Sequence, residues 1–208
     1  MELTKKHGIL YLIADCRAGL APIEEALKAG VDFFQLREKS VTSARYLEDA
    51  RAVKALCQKY STPFIVNDRI DIALLSGADG VHLGADDVPI DEARKLLGEG
   101  CIIGATAKTA AQAVEAQKKG ADYIGSGAFF ETVTKSDAKL MSPDTYREIL
   151  DSVAIPDVAI GGITADNCSL PLSLGANGLA VSAGIMKTGN ITDAVLAFRR
   201  KLSLSISR

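Results

Sequence analysis

The sequence predicts an α/β fold, a single (β/α)8 TIM barrel with a closed parallel sheet spanning residues 1–208 as one catalytic domain. Three observations carry this. Short, almost wholly apolar runs alternate with helical segments along the whole chain, which is how strands read when both faces are covered. Eight strand–helix units in succession imply a parallel sheet, open or closed. A glycine device recurs before every second strand, at Gly30-Val31-Asp32, Gly77-Ala78-Asp79, Gly120-Ala121-Asp122 and Gly175-Ala176-Asn177. Glycine there supplies a left-handed helix stop, and the following Asp or Asn is expected to form a local turn bond. Barrel interiors are layered by alternate strands, so a quarter-fold period favours closure. An open sheet remains the alternative, because any αβ loop tolerates Gly-x-Asp.

The strands are expected, in order, at 9–14, 33–36, 64–67, 80–83, 102–106, 123–125, 158–160 and 179–182. Helical patterns lie between them, among them 23–28, 44–59, 110–119 and 192–202. Thr109 and Thr192 read as N-caps, and Ser142-Pro143 as an N-cap with proline in the first turn. Thr164-Ala165-Asp166-Asn167 reads as a helix start just after the seventh strand. At 208 residues the chain lies near the lower end for a barrel, which leaves little room for insertions.

Composition narrows the function class. Hydrophobic residues make up 48%, charged residues 24%, and the net charge is −2. Basic residues are scattered, so neither nucleic acid nor a membrane is an expected partner. No apolar stretch is long enough to span a bilayer. The first eight residues carry Glu2, Lys5, Lys6 and His7 with no apolar signal core, which makes the cytoplasm the expected compartment. Cys16, Cys57, Cys101 and Cys168 are widely spaced, show no metal-ligand pattern, and read as free thiols.

In a barrel the chemistry lies where each strand gives way to its loop. Those positions hold Gln35-Leu36-Arg37-Glu38-Lys39, Asn67-Asp68-Arg69, His82 through Asp86-Asp87, Thr106-Ala107-Lys108, Thr132-Val133-Thr134-Lys135, Gly161-Gly162 and Ser182-Ala183-Gly184. Asp68 and Asp87 end adjacent strands, so their carboxylates are expected to converge. Two carboxylates with phosphate oxygens and water are what Mg2+ asks for. An Asp–Arg surface pair, or capping by Asp87 before Val88-Pro89, is the alternative; Asp86 is the weaker ligand candidate. Arg37, Lys39 and Lys135 supply cations for a diphosphate. Gly161-Gly162 and Ser182-Ala183-Gly184 are loops of the kind that let a backbone approach a phosphate. His82 alternates within a strand and reads as packed or hydrogen-bonded rather than catalytic.

Taken in order, these stretches resemble the thiamin-phosphate synthase family from about residue 11 to residue 186. The residues that carry the resemblance are Gln35 to Lys39, Val66-Asn67-Asp68-Arg69, Gly77 to Gly84 with the acids beyond, Thr132-x-Thr134-Lys135-x-Asp137-Ala138, and Ala159 to Ile163. The resemblance implies a transferase of thiamine biosynthesis. It would join 4-amino-5-hydroxymethyl-2-methylpyrimidine diphosphate to a thiazole phosphate, giving thiamin phosphate and diphosphate. By position, Gln35, Leu36, Arg37, Glu38, Lys39, Asn67, Thr106 and Lys135 would hold the pyrimidine diphosphate. Asp68 and Asp87 would bind Mg2+, and Thr132, Val133, Thr134, Gly162, Ser182 and Ala183 the thiazole phosphate. Arg37, Lys39, Lys135 and Thr106 are the expected catalytic set. Lys108 stands where the family commonly has histidine, and Glu131 and Val133 where it has prolines; these departures bear on affinity more than on reaction type. A thiazole tautomerase-like isomerase and a non-catalytic thiamin-precursor binding module are the competing readings, and a homo-oligomer stays open.

Overall fold

The computed structural model describes residues 8–131 and 140–206, with side chains described to residue 204. Eight parallel strands close into a barrel in chain order. They are β1 (Ile9–Ala14), β2 (Phe33–Leu36), β3 (Phe64–Asn67), β4 (Gly80–Leu83), β5 (Ile102–Ala107), β6 (Tyr123–Gly127), β7 (Asp157–Ile160) and β8 (Gly178–Val181). β8 returns to β1 with Ile9 opposite Gly178 and Leu12 opposite Val181. The first four strands have the predicted bounds. β5 runs one residue further and β6 two, β7 starts one residue earlier, and β8 is shifted one residue back, which leaves Ser182 just beyond it.

The helices are α1 (Ala21–Ala29), α2 (Ser43–Lys59), α3 (Ile70–Ser76), α4 (Ile90–Leu97), α5 (Ala110–Lys118), α6 (Pro143–Ser152), α7 (Ser169–Ser173), α8 (Ala183–Met186) and α9 (Ile191–Ile206). Side-chain oxygens of Thr42, Thr109 and Ser142 cap α2, α5 and α6 by accepting the N–H three residues on. Thr192 is not a cap. Asn190 Oδ1 accepts from Asp193 N at 3.0 Å, so the helix begins one residue before Thr192. The backbone N–H and hydroxyl of Thr192 both donate to Glu25 Oε1 at 2.9 Å, which ties α9 to α1. Nor does Thr164 open a helix directly. Asn167 accepts from Thr164 N at 2.8 Å and donates back to Gly162 O at 2.9 Å, closing a turn before the short α7.

Two apolar shells explain the closure. Leu10, Leu12, Phe34, Phe64, Val66, Val81 and Leu179 point outward into the helix layer. Ile9, Tyr11, Ile13, Phe33, Ile65, Tyr123, Val158 and Ala180 fill the interior. Glycines on the strands make room for the larger inward side chains. A Cβ on Gly104 would occupy the Tyr123 ring, and one on Gly178 would meet Ile9 Cβ at 2.6 Å.

The quarter repeat is real, and its chemistry differs from the local turn expected. Gly30, Gly77, Gly120 and Gly175 all have positive φ, between 67° and 106°. The acids that follow reach across to the preceding strand instead of their own turn. Asp32 Oδ2 accepts from Leu10 N, Asp79 Oδ2 from Phe64 N and Asp122 Oδ2 from Ile103 N, at 2.7–2.8 Å, while Asn177 Oδ1 accepts from Asp157 N at 3.0 Å. The first three donate their own N–H back to the carbonyl of the same residue. Each such residue therefore satisfies the first, otherwise orphaned backbone groups of an odd strand.

Candidate active site

At the C-terminal ends of the strands the backbone is set up from below by Tyr46. Its hydroxyl, on α2, donates to Leu36 O at 2.9 Å and to Asn67 O at 3.1 Å, clamping the ends of β2 and β3 together. Asp68 follows at φ 65°, a left-handed conformation that non-glycine residues adopt at some cost and that gathers at functional sites. Its N–H is held by His82 O at 2.9 Å. This bend brings its carboxyl into hydrogen-bond contact with Asp87. Loss of water around the carboxyl, then the bond to Asp87 and its charge, push Asp68 up to about 6, and the nearby Arg37 guanidinium partly offsets this. Asp68 and Asp87, which follow adjacent strands, thus face each other, with Arg37 nearby.

Asp87 does not cap the following helix. Its Oδ2 turns back to accept from Gly84 N at 2.7 Å, and α4 begins after Pro89 with no side-chain cap. Asp86 is exposed beside it. Two carboxylates drawn together, the Asp68 one with its proton affinity raised, are a pair that a hard divalent cation would relieve, so the donors present fit Mg2+.

Inside the barrel a chain of polar groups runs beneath these loops. Gln35, 2% exposed, donates from Nε2 to Tyr11 OH at 2.9 Å. Tyr11 OH meets Tyr123 OH at 2.7 Å, Tyr123 OH meets His82 Nδ1 at 3.0 Å, and His82 Nε2 meets Thr106 Oγ1 at 3.1 Å. Burial pushes both tyrosines well above their ordinary range, so they stay neutral. Gln35 Nε2 donates at one end, and the two hydroxyls and the imidazole link it to Thr106 Oγ1 at the other. His82 is therefore hydrogen-bonded within the interior, as expected. Tyr11 and Tyr123 are the site-lining groups that sequence reasoning missed. Strand alternation placed Tyr11 in register with Ile9 and Ile13, but nothing in the sequence says which parity faces the barrel axis.

The remaining expected residues divide. Arg37 is half-buried and bonds through its N–H to Ala14 O at 2.9 Å, while Lys39 is exposed. Leu36 is fully buried in the helix layer, and Asn67 is 8% exposed. Glu38 turns inward, its Oε1 accepting from Cys16 N at 2.6 Å. There it adjoins the Cys16 thiol and Asp49, whose two oxygens are held by Arg45 at 2.9 and 2.8 Å. Burial, then the Asp49 and Glu38 charges, push Cys16 up to about 12, so it is a protonated thiol. All four cysteines are free.

Gly161 and Gly162 have φ of 102° and 62°. The space a Gly162 side chain would fill holds Phe130 Cβ and Glu131 O, so these glycines are required by the β6 loop lying against them. Gly184 is similarly pressed, with Ile163 O 2.5 Å from where its Cβ would stand. Ser182 and Ala183 are half-buried at the start of α8. Thr132, Val133, Thr134 and Lys135 lie outside the described residues.

Comparison with known proteins identifies the relatives of this chain. The family model described as thiamine monophosphate synthase matches residues 10–185. The chain is 43% identical over 198 residues to the Streptococcus pneumoniae protein named thiamine-phosphate synthase 2, covering 93% of this chain and 94% of that one. It is 46% identical over 190 residues to a thiamine-phosphate synthase of Ruminiclostridium cellulolyticum, covering 89% and 90%. Among solved structures, a thiamine phosphate pyrophosphorylase from Pyrococcus furiosus superposes with a TM-score of 0.87 at 34% identity, covering 96% of this chain and 98% of that one. A 3-hexulose-6-phosphate synthase, at 14% identity and TM-score 0.70, shares the fold. The chain belongs to the thiamine monophosphate synthase family.

Proposed function

We propose that the chain is a thiamin-phosphate synthase that joins an aminopyrimidine, activated as its methylene diphosphate, to a thiazole phosphate. The observation that carries this is the Asp68–Asp87 pair beside Arg37, placed above a neutral polar chain that ends at Thr106. A bare carboxylate pair is a poor host for an anionic diphosphate. Asp68 and Asp87 would hold Mg2+, which when bound supplies the positive charge that a departing diphosphate requires. Arg37, Lys39 and Lys135 are the residues assigned to its remaining oxygens. Gln35 and Thr106, the two ends of the interior chain, hold the pyrimidine from below, and Asn67 and the backbone of Leu36 and Glu38 border it. Gly162, Ser182 and Ala183, with Thr132, Val133 and Thr134, are assigned to the thiazole phosphate.

The bond between the pyrimidine methylene and the diphosphate oxygen breaks, and the thiazole nitrogen supplies the electron pair for the new carbon–nitrogen bond. The amino group of the pyrimidine delocalises the positive charge that develops. No protein nucleophile enters this scheme. The neutral tyrosines offer hydrogen bonds without adding a charge. A tautomerase or a passive binding module has no use for a carboxylate pair with a cation beside it.

The test is to combine the purified protein with both substrates and Mg2+, and to measure thiamin phosphate and diphosphate with an EDTA control. Equal, metal-dependent amounts of both products are expected. Isomerisation or retention of the thiazole phosphate with no diphosphate release would overturn the reading.

A further inference from the structure

On the outer side of the sheet, behind β6 and β7, lies a polar cluster that this chemistry does not use. Asp157 opens β7 and Ser126 lies on β6, and both are fully buried. Tyr146 on α6, equally buried, donates its hydroxyl to Asp157 Oδ1. Asp157 Oδ2 and Ser126 Oγ have no hydrogen-bond partner among the described residues, and Asp157 forms no ion pair there. A carboxyl and a phenol withdrawn from water are costly unless their geometry is closely held.

What the cluster orients is seen on the other side of Tyr146. The Phe129 ring meets it edge-on, with centroids 4.6 Å apart and planes at 81°. Phe129 N donates to Ile160 O at 3.1 Å and Phe130 N to Gly161 O at 3.0 Å, so the chain leaving β6 is zipped to the end of β7. Only glycine fits at 162, because Phe130 Cβ and Glu131 O occupy the space where a side chain would stand. Met141 N, donating to Ala128 O at 2.8 Å, fixes the returning strand of the same loop next to α6.

We propose that Tyr146 and Asp157 are positioning residues for the thiazole-phosphate end of the site, acting through Phe129 on the Gly161-Gly162 turn. The inference rests on the assignment of Gly162 and Ser182 to that phosphate. Asp157 accepts one bond from Tyr146 through Oδ1. An amide keeps that accepting oxygen, whereas Tyr146→Phe removes the link.

Steady-state kinetics of the full chain, varying each substrate in turn, test this alongside thermal melting. Tyr146→Phe is expected to raise KM for the thiazole phosphate about fivefold, the effect of one net hydrogen bond, with KM for the pyrimidine diphosphate unchanged. Asp157→Asn is expected to keep both KM values. Phe129→Leu, which leaves the Tyr146–Asp157 bond intact, should reproduce the selective rise if Tyr146→Phe does not fold. A lower Tm with both KM values unchanged, or both raised equally, would overturn the inference and leave a structural role only. Ser182→Ala separates the underlying assignment: if it leaves the thiazole KM untouched, the phosphate end lies elsewhere.

Discussion

The two ends of the barrel use the same residue type in opposite ways. At the N-terminal end Asp32, Asp79 and Asp122 each accept a backbone N–H from the neighbouring strand and each meet a cation. Arg199, Lys54 and Arg94 approach them at 2.7, 2.7 and 2.6 Å. Every one of these charges is spent on holding strands and helices in register. At the C-terminal end Asp68 is bent into a left-handed conformation, faces a second acid and has its proton affinity raised. The lower acids sit against donors, whereas Asp68 sits against another carboxylate, the environment expected of a group used in chemistry. The difference separates scaffold from site within one domain.

The largest expected effect would break this comparison at the upper end. Asp68→Asn removes a charge proposed to hold the metal but tolerates the left-handed backbone. It should lower kcat at least a hundredfold, about 3 kcal/mol in transition-state stabilisation, while Tm stays level or rises. Steady-state assays with thermal melts check both halves.

Asp157 is the lower-end exception, an acid with a phenol in place of a cation. Burial pushes it up to about 7, with the Tyr146 hydroxyl partly offsetting the rise. The unfolded chain loses this proton near pH 4 and the folded chain keeps it until about pH 7. Stability therefore falls as pH rises through that window and levels off above it. Asp157→Asn should remove roughly 2–4 kcal/mol of this pH dependence, so that it is more stable than the parent at pH 8 and not at pH 4. Denaturant titrations at the two pH values measure the difference. Parallel slopes for the two proteins would place a charged carboxylate in the fold and refute this account of the cluster.

Smaller still is the cost of breaking one lower-end clasp. Asp122→Ala unpairs Ile103 N and releases Arg94, which also holds Cys101 O and Gly120 O at 2.6 and 2.7 Å. A loss of about 2 kcal/mol in unfolding free energy is expected, with kcat and both KM values preserved.

Much of this was legible in the chain. Strands buried on both faces declared themselves as apolar runs, and the Gly-x-Asp repeat announced its period. Asp68 and Asp87 were readable because adjacent barrel strands must bring their ends together. The partner of each repeat acid was not readable, because Leu10, Phe64 and Ile103 are brought to Asp32, Asp79 and Asp122 only by the register of adjacent strands. The interior chain through Tyr11 and Tyr123 was hidden by strand parity, which alternates without naming the inside. Glu38 shows a further limit. It sits within a run of site residues, yet its carboxylate is taken by Cys16 N. Glycine at 161 and 162 was read as room for a phosphate, and the packing of the β6 loop is a second demand on the same residues that the sequence does not announce.

The most direct measurement is a paired one: turnover and thermal stability of Asp68→Asn and Asp122→Ala, assayed together in saturating Mg2+. The account predicts that the first loses activity and keeps its Tm, while the second loses Tm and keeps its activity. Near-normal turnover in Asp68→Asn would contradict the placing of the metal and diphosphate chemistry at this pair.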